Sequence, residues 1–228
     1  MTGAARTFTD PSVLAGIAAG KDWADPEMDP TRINWKRRRA DALIPFEVVD
    51  GRPVNPHAPT GIRYGRNQLG HWGEQVAADA MVTVSDAAGH RWLLMIERKD
   101  RHGWALPGGK VDQGETPLHG AIRELGEETG LHLPGAHWRV SPARYVPDPR
   151  ASDEAWMVTV LARTHLGIYF TRRRPLVVGS DDARRAAWIR AGSYTDLVTH
   201  LADTYGGQVF PAHCDMLRDQ LDPKETPR

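Results

Sequence analysis

The stretch from Gly108 to Leu131, "GGKVDQGETPLHGAIRELGEETGL", constrains the fold of this chain more than any other. Thr116 is suited to cap a helix, Pro117 to occupy its first position, and Gly130 to end it. These signals predict a helix over residues 117–129. Four apolar residues at i, i+3, i+4 and i+7 form one stripe that faces a core: Leu118, Ala121, Ile122 and Leu125.

The same helix gathers carboxylates on a neighbouring face. Glu124, Glu127 and Glu128 fall at i, i+3 and i+4, where like charges repel, and they lie near the helix C-terminus, where the dipole disfavours anions. The chain has 29 acidic and 29 basic side chains, so general acidity does not explain the cluster. A solvated acidic face is one interpretation. A bound hard cation such as Mg²⁺, Mn²⁺ or Ca²⁺, which prefers oxygen ligands, is the other.

Runs with strand character lie on both sides of this helix. Before it stand "AMVTVSD", "RWLLMIERKD" and "WALPGG", and after it stand "AWMVTVLAR", "LGIYF" and "AAWIR". Two more helices are predicted near the end of the chain, in "SYTDLVTHLADTYG", with Ser193 as its cap, and in "FPAHCDMLRDQLD". Strands around a central helix, with further helices behind them, predict an α/β fold whose mixed sheet is covered on two faces.

The first 76 residues have a different character. Segments such as "DGRPVNPHAPTGIRYGRNQLG" are rich in Pro, Gly, Asp and Asn, which favour turns. Strand-like runs are short, and "LIPFEVVD" is the best of them. We therefore expect a small, turn-rich N-terminal domain, residues 1–76, that packs on a larger domain, residues 77–228.

Composition excludes several function classes. The balanced charge argues against bulk binding to nucleic acid or to an anionic membrane. No segment approaches the roughly 18 consecutive apolar residues of a membrane span, and "MTGAARTFTD" lacks the apolar region of a signal peptide. The single cysteine, Cys214, excludes an intrachain disulfide. We expect a cytoplasmic protein, and the sequence does not decide between a monomer and a homodimer.

The stretch from Gly108 to Leu131 resembles the box of the Nudix hydrolases at every fixed position. Gly109 is followed after five residues by Glu115, and after seven more by the run "RELGEETGL", residues 123–131. The resemblance implies a Nudix α/β/α sandwich and Mg²⁺-dependent hydrolysis of a nucleoside diphosphate linked to another group. Mn²⁺ is the alternative ion.

Particular roles follow from this resemblance. Glu124, Glu127 and Glu128 would bind the metal, with the backbone carbonyl of Gly109 as a further ligand. Arg123 would orient the glutamates through charge-assisted hydrogen bonds, so these four charged residues form the expected catalytic set. Glu115 is expected either to support the site from behind or to cap the helix.

A wider resemblance covers about residues 11–220. Segments such as "NPHAPTGIRYGRNQLGHWGEQVAADAMVTV" and "VPDPRASDEAWMVTV" are similar to the mitochondrial-type ADP-ribose pyrophosphatases and to the Nudix-like domain of the ADP-ribose-gated cation channel. This implies hydrolysis of ADP-ribose to AMP and ribose 5-phosphate. Asp148 and Arg150 match a substrate-contacting motif, although an ordinary loop ion pair is the alternative. His213 matches a segment that reaches the nucleotide, or is a structural histidine.

The general base stays open at this level. Five carboxylates are candidates: Glu127, Asp153, Glu154, Asp181 and Asp182. The segment "GRNQLGHWGEQ" departs from the family pattern, which bears on substrate preference. Two alternative functions therefore remain, a Nudix pyrophosphohydrolase for another nucleoside diphosphate derivative and a non-catalytic ADP-ribose sensor.

Overall fold

The computed structural model describes residues 6–57, 59–170 and 174–223. The chain divides into two compact units. The first comprises Met1–Val76 and Ala143–Thr159, and the second comprises Ala77–Pro142 and Val160–Arg228. The first unit thus includes a segment from the middle of the chain. The division into 1–76 and 77–228 stays a prediction.

The first unit is built from short elements, in keeping with its many turn-forming residues. Strands β1 and β4 pair in parallel, and β2 and β3 form an antiparallel hairpin. Asp10 caps α1, whose first residue is a proline, and Asn34 caps α2. Its elements in the first 76 residues are β1 Thr7–Thr9, α1 Pro11–Ala18, a 3-10 turn at Pro30–Arg32, α2 Trp35–Asp41, β2 Glu47–Val49, β3 Arg52–Val54 and β4 Tyr64–Asn67.

Aromatic rings and a buried arginine organise the core of the first unit. Phe46 packs edge-on against Trp35 at 6.0 Å and against Trp156 at 5.1 Å between ring centroids. Arg66 is fully buried and donates to the carbonyls of Asp25 and Gly70 at 2.8 and 2.7 Å. These hydrogen bonds offset part of the cost of removing its guanidinium from water, although its buried Nε has no hydrogen-bond partner among the described residues.

One sheet contains the remaining strands, in the order β10-β11-β5-β6-β12. The short strands β7, β8 and β9 pair with β6, β5 and β11 respectively. The strands β5 and β6 form the predicted hairpin, with Thr83 opposite Leu93. The bounds are β5 Gly73–Ser85, β6 Arg91–Arg98, β7 Trp104–Ala105, β8 Gly108–Lys110, β9 Arg139–Val140, β10 Arg144–Val146, β11 Ala155–Ile168 and β12 Ala183–Arg190.

Helices of the second unit contribute to two separate apolar clusters. Their bounds are α3 Pro117–Thr129, α4 Tyr194–Tyr205 and α5 Cys214–Leu221, with a 3-10 turn at Pro211–His213. Met81 on β5 packs with α4 and α5, whereas Ala80 and Val82 pack with α3. Because successive strand residues point to opposite faces, helices cover both faces of the mixed sheet. The α/β sandwich predicted from sequence is confirmed.

The helix signals of the sequence are confirmed in detail. Thr116 Oγ accepts a hydrogen bond from the His119 N–H, and Gly130 ends α3 with a φ of 68°. Ser193 caps α4 as predicted. The apolar stripe of α3 is anchored by Ala121 and Leu125, both fully buried.

Several strand bounds differ from the prediction. "WALPGG" forms two strands, β7 and β8, rather than one, because Pro107 has no N–H to donate to a ladder. "LGIYF" is not a separate strand, since β11 continues to Ile168. The predicted strand "LIPFEVVD" shortens to β2. No helix in the described part of the chain has the length and apolar character required to cross a membrane.

Candidate metal site on helix α3

The caps and the apolar stripe fix α3 on the sheet, and this leaves its acidic face beside strand β8. The three glutamates of that face differ in exposure. Glu128 is buried, with 3% of its surface exposed, Glu124 is partly buried and Glu127 is exposed. The face is therefore not a uniformly solvated acidic surface. Its acids lie at three depths along one edge of the helix.

Glu128 is the most perturbed acid of this face. Its Oε2 accepts a hydrogen bond from the Gly108 N–H at 2.9 Å. Burial, together with the charges of Glu124 and Asp182, raises the pKa of Glu128 to about 8, against the opposing effects of the Gly108 N–H and of Arg98. Without a cation, the neutral carboxylic acid is therefore favoured at neutral pH.

Arg123 forms hydrogen bonds with the other two acids of this face and with Glu115, which precedes the helix. It donates to both oxygens of Glu115, at 3.2 and 3.1 Å, and to the Lys110 carbonyl at 2.9 Å. Its Nη1 donates to Glu124 at 2.9 Å and to Glu127 at 3.0 Å. The bond to Glu115 is the largest influence that raises the pKa of Arg123, and it lowers the pKa of Glu115. One guanidinium thus positions three carboxylates.

Strand β8 passes unusually close to this face. A Cβ atom on Gly109 would collide with the carboxylate of Glu124, and one on Gly108 would lie 2.5 Å from the Ala78 carbonyl. The two glycines therefore allow the strand to run between β5 and α3. Burial raises the pKa of Glu124, and Arg123 opposes this. The closeness of Gly109 to Glu124 is observed, whereas a carbonyl ligand at Gly109 stays a prediction.

Two candidate bases lie in the loop before β12. The charge of Asp181 contributes to the raised pKa of Glu124, and that of Asp182 contributes to the raised pKa of Glu128. The loop is attached to the helix end, because the Ser180 N–H donates to the Glu128 carbonyl at 3.1 Å. Both aspartates therefore belong to the electrostatic environment of the glutamates.

His213 occupies a defined position in the second unit. Its Nδ1 accepts from the Leu106 N–H at 3.2 Å, and its Nε2 lies 3.5 Å from Asp79 Oδ1. Both side chains are buried. Sequence reasoning missed Asp79, although an acid inside the apolar run "AADAMVTV" is an available signal, since buried acids are rarely left without a partner.

Asp148 and Arg150 lie in the first unit, after β10. Arg150 donates from Nε to both carboxylate oxygens of Asp148, at 2.9 and 3.1 Å, and from Nη2 at 2.5 Å. The Asp148 side chain is almost fully buried, whereas that of Arg150 is 43% exposed. The structure shows the loop ion pair between these residues. Their contact with substrate stays a prediction.

The other two candidate bases are strongly engaged within the first unit. Asp153 accepts from the backbone and hydroxyl of Thr60, at 2.7 and 2.8 Å. Glu154 is fully buried and accepts from Arg52 Nε and from the Gly65 N–H, both at 2.7 Å. Burial raises the pKa of Glu154, although these donors oppose the effect. Both carboxylates therefore support the backbone around them.

The described residues contain no group of three or more His, Cys, Asp or Glu side chains already arranged as a metal cage. The reason is visible in the contacts: Arg123 engages Glu124 and Glu127, and Gly108 engages Glu128. The donor chemistry nevertheless fits a hard divalent cation, because every candidate ligand is an oxygen. The burial of Glu128 also fits a cation site. Its carboxylate is unfavourable in the ionised form without a cation, and a bound cation would compensate that negative charge. The ligand set stays a prediction.

Comparison with known proteins identifies the family of this chain. The family model of the NUDIX domain matches residues 74–201, more than half of the chain. A putative nudix hydrolase 6 of Caenorhabditis elegans is 34% identical over 202 residues, which cover 81% of this chain and 75% of that protein. The chain belongs to the Nudix hydrolase family.

Two further relatives match the wider resemblance seen in the sequence. The mitochondrial ADP-ribose pyrophosphatase of Rattus norvegicus is 30% identical over 210 residues, 76% of this chain and 60% of that protein. A transient receptor potential cation channel subfamily M member-like 2 protein of Nematostella vectensis is 34% identical over 146 residues, 53% of this chain. The aligned residues span 9% of that channel's length.

Proposed function

We propose that this protein hydrolyses ADP-ribose to AMP and ribose 5-phosphate in a Mg²⁺-dependent reaction, with Mn²⁺ as the alternative ion. The observation that carries the proposal is the similarity to the rat ADP-ribose pyrophosphatase, which covers 76% of this chain. A likeness confined to the Nudix box would indicate only the class of reaction. One that also includes the residues before and after the box supports a shared substrate.

Nudix hydrolases use divalent metal ions. In this chain Glu124, Glu127 and Glu128 would hold the ion, together with the Gly109 carbonyl. A bound divalent cation neutralises charge on the two phosphates and lowers the pKa of the attacking water. The all-oxygen donor set supports this assignment, as does the buried Glu128, which lacks a cationic hydrogen-bond partner among the described residues.

The other residues of the site would act by positioning. Arg123 holds Glu115, Glu124 and Glu127 through hydrogen bonds of 2.9 to 3.2 Å, which limits the orientations that the carboxylates adopt. Hydrolysis at phosphorus depends on such positioning, because the reacting water must stand in line with the leaving group. Substrate contacts are proposed for Asp148, for Arg150 and, separately, for His213.

We expect the proton acceptor among the acids near the glutamate face. Glu127 is exposed at the edge of that face, and the charges of Asp181 and Asp182 influence its neighbours. Asp153 and Glu154 already accept hydrogen bonds from backbone and side-chain donors of their own unit. Those bonds support a structural role for the latter two.

A substrate panel tests the proposal. The protein is incubated with Mg²⁺ and ADP-ribose, with other nucleotide sugars, with dinucleoside polyphosphates and with oxidised nucleotides, and AMP and sugar phosphate are measured by chromatography. We expect ADP-ribose to have the highest kcat/KM, with AMP and ribose 5-phosphate in equal amounts. Glu128→Gln should lose turnover, whereas Asp203→Asn, an exposed acid on α4, should not.

Two results would contradict the proposal in different ways. Preferential cleavage of another compound would leave the chain a Nudix pyrophosphohydrolase with a different substrate. Saturable binding of ADP-ribose without AMP formation would favour the sensor. In that case Glu128→Gln would not change the release of AMP, because there would be none to lose.

A further inference from the structure

A cleft of about 460 Å³ lies in the second unit, away from helix α3. It opens between β5, β11, the short strand β9 and the last turn of α5. Thr83 on β5 and Arg163 on β11 line the cleft. Each lies two residues after a buried residue of the same strand face, Met81 or Leu161, and these two buried residues pack with α4 and α5. Side chains on that face point away from α3. The cleft is therefore on the opposite side of the sheet from the glutamates.

The lining of this cleft is strongly cationic. Arg91, Arg139 and Arg163 contribute three positive charges, and His137 and His165 add two imidazoles. Among the described residues that line it there is no aspartate or glutamate. The volume falls within the range of small-molecule sites, roughly 300 to 1,000 Å³. Clefts lined by one sign of charge focus the electrostatic potential and attract ligands of the opposite sign.

Arg91 is fixed in place by carbonyl groups. Its Nε donates to the Ala191 carbonyl at 2.8 Å, and its Nη2 donates to the Gly192 carbonyl at 2.7 Å and to the Leu221 carbonyl at 3.3 Å. These acceptors orient the guanidinium without neutralising it. The residue therefore contributes a positive charge of fixed orientation to the lining of the cleft.

Arg139 and Arg163 are directly opposite each other in the antiparallel pair of β9 and β11. Like charges in this position repel and destabilise a sheet. Arg163 donates from Nη1 to the neutral Gln220 side chain, and its buried Nε has no hydrogen-bond partner among the described residues. A buried donor without a partner is costly. The facing arginines favour a ligand with negative charge, and the unpaired Nε of Arg163 favours a ligand that accepts hydrogen bonds.

Neutral donors complete the lining. Thr83 Oγ lies 3.0 Å from His165 Nδ1, and it also contacts the Thr164 carbonyl. Hydroxyl, imidazole and guanidinium groups together match the oxygen atoms of a phosphate, which accepts several hydrogen bonds at once. Among the described residues of the lining there is no Phe, Tyr or Trp ring on which a nucleobase would stack.

We propose that this cleft binds a small phosphate-bearing anion that has no base, at a site separate from the glutamate face. Inorganic pyrophosphate and a phosphorylated sugar share the required chemistry. The proposal does not depend on the substrate of the enzyme, because none of the residues that carry it belongs to the candidate metal site.

Calorimetric titration of the full chain tests the proposal. Pyrophosphate and ribose 5-phosphate are titrated separately in buffer containing EDTA, so that no divalent cation bridges the anion to the glutamates. We expect saturable binding of at least one anion, and the two arms show which source is preferred. Arg139→Gln and the double variant R139Q/R163Q should weaken it, the double variant by about tenfold or more. Arg37→Gln, an exposed arginine of α2, should leave it unchanged.

A second measurement separates a binding role from a structural one. In phosphate-free buffer, Arg139→Gln should melt at the same temperature as the wild type or higher, because the cross-strand repulsion is relieved. With pyrophosphate, the wild type should gain stability and the Arg139→Gln variant should gain less at the same concentration.

Three outcomes overturn the proposal. One is the absence of saturable binding at millimolar anion, and another is binding that R139Q/R163Q leaves intact. The third is binding that Arg150→Gln abolishes, since the anion would then occupy the proposed substrate site.

Discussion

The Glu128 carboxyl accepts a hydrogen bond from the Gly108 N–H at 2.9 Å, which ties the end of α3 to strand β8 at a buried acid. Burial raises the pKa of this acid from 4.5 to about 8. A group whose pKa is higher in the folded than in the unfolded protein stabilises the fold fully at pH values below its unfolded-state pKa. That stabilisation is lost as the pH rises through its folded-state pKa. The relevant window therefore runs from about pH 4.5 to 8.

We predict that the metal-free protein loses stability as pH rises from about 5 to 8, by roughly 1 to 3 kcal/mol from this group. Glu128→Gln should remove that dependence, because glutamine has no proton to release. Thermal unfolding in EDTA at several pH values measures it, with Asp203→Asn as the control that retains the slope. A slope of wild-type size in the Glu128→Gln protein would be evidence against this origin. Added Mg²⁺ should stabilise the wild type most at the high-pH end.

Adjacent glycines of β8 should respond differently to alanine. In Gly109→Ala the new methyl group meets the end of the flexible Glu124 side chain, so the fold should survive while the carboxylate is displaced. We expect kcat/KM to fall by about tenfold or more, a loss typical of groups misplaced at a catalytic site. Calorimetric Mn²⁺ affinity should fall in parallel.

Gly108→Ala provides the contrast, since its methyl group meets the Ala78 backbone carbonyl, which has little freedom to move. Here we expect lower thermal stability as the main effect. If Gly109→Ala unfolded as readily as Gly108→Ala, the distinction between the two glycines would be wrong.

Arg123→Lys tests the positioning of the carboxylates. Lysine keeps the positive charge but lacks the planar set of donors with which Arg123 contacts Glu115, Glu124 and Glu127. We expect kcat to fall by about tenfold or more with a change in unfolding free energy below about 2 kcal/mol. Arg218→Lys, whose partner Asp215 is an exposed neighbour on α5, is the matched control. Wild-type kcat in Arg123→Lys would show that charge alone is sufficient.

How much the sequence predicts depends on whether a feature is local. The caps Thr116 and Ser193, the end of α3 at Gly130 and its apolar stripe follow from neighbouring residues, and the structure confirms them. The acidic face also follows from helical periodicity. Its different depths of burial do not, because they depend on strand β8, which is paired to β5 some 30 residues earlier in the chain.

Features made by distant segments were missed. The acid Asp79 near His213 joins residues far apart in sequence, and the inclusion of 143–159 in the first unit depends on contacts with the first 76 residues. The two helices of that unit are a different case. Asp10 followed by Pro11 is a recognisable start signal, but at eight and seven residues α1 and α2 are too short for a clear periodic pattern.

In the first unit, Asp25 should provide stability that depends on pH. It accepts from two Arg38 nitrogens, from His71 Nδ1 and from the Trp72 N–H, all at 2.9 Å. Burial alone would raise the pKa of Asp25, but these donors outweigh it and lower the pKa below 3.8. A depressed pKa contributes stability above about pH 4, which is lost as pH falls below that value.

Asp25→Asn should therefore cost about 2 kcal/mol at neutral pH, since Arg38 loses its ionic partner. The cost should shrink as the pH is lowered towards 3. Urea unfolding followed by tryptophan fluorescence measures both effects. Asp41→Asn, at an exposed pair with Arg37, should change stability little at either pH. A cost for Asp25→Asn that stays constant down to pH 3 would contradict the proposed linkage.

Two roles are open for His213, a structural one and contact with the nucleotide, and two substitutions distinguish between them. Replacement by alanine leaves the buried Leu106 N–H without its acceptor, which costs about 1 to 3 kcal/mol. We expect reduced thermal stability for His213→Ala. His213→Asn, whose side-chain oxygen is able to accept the same N–H, should recover part of it. If His213 also contacts the nucleotide, both variants should raise KM for ADP-ribose at a temperature where they are fully folded. An unchanged KM in both folded variants would assign the histidine to structure alone.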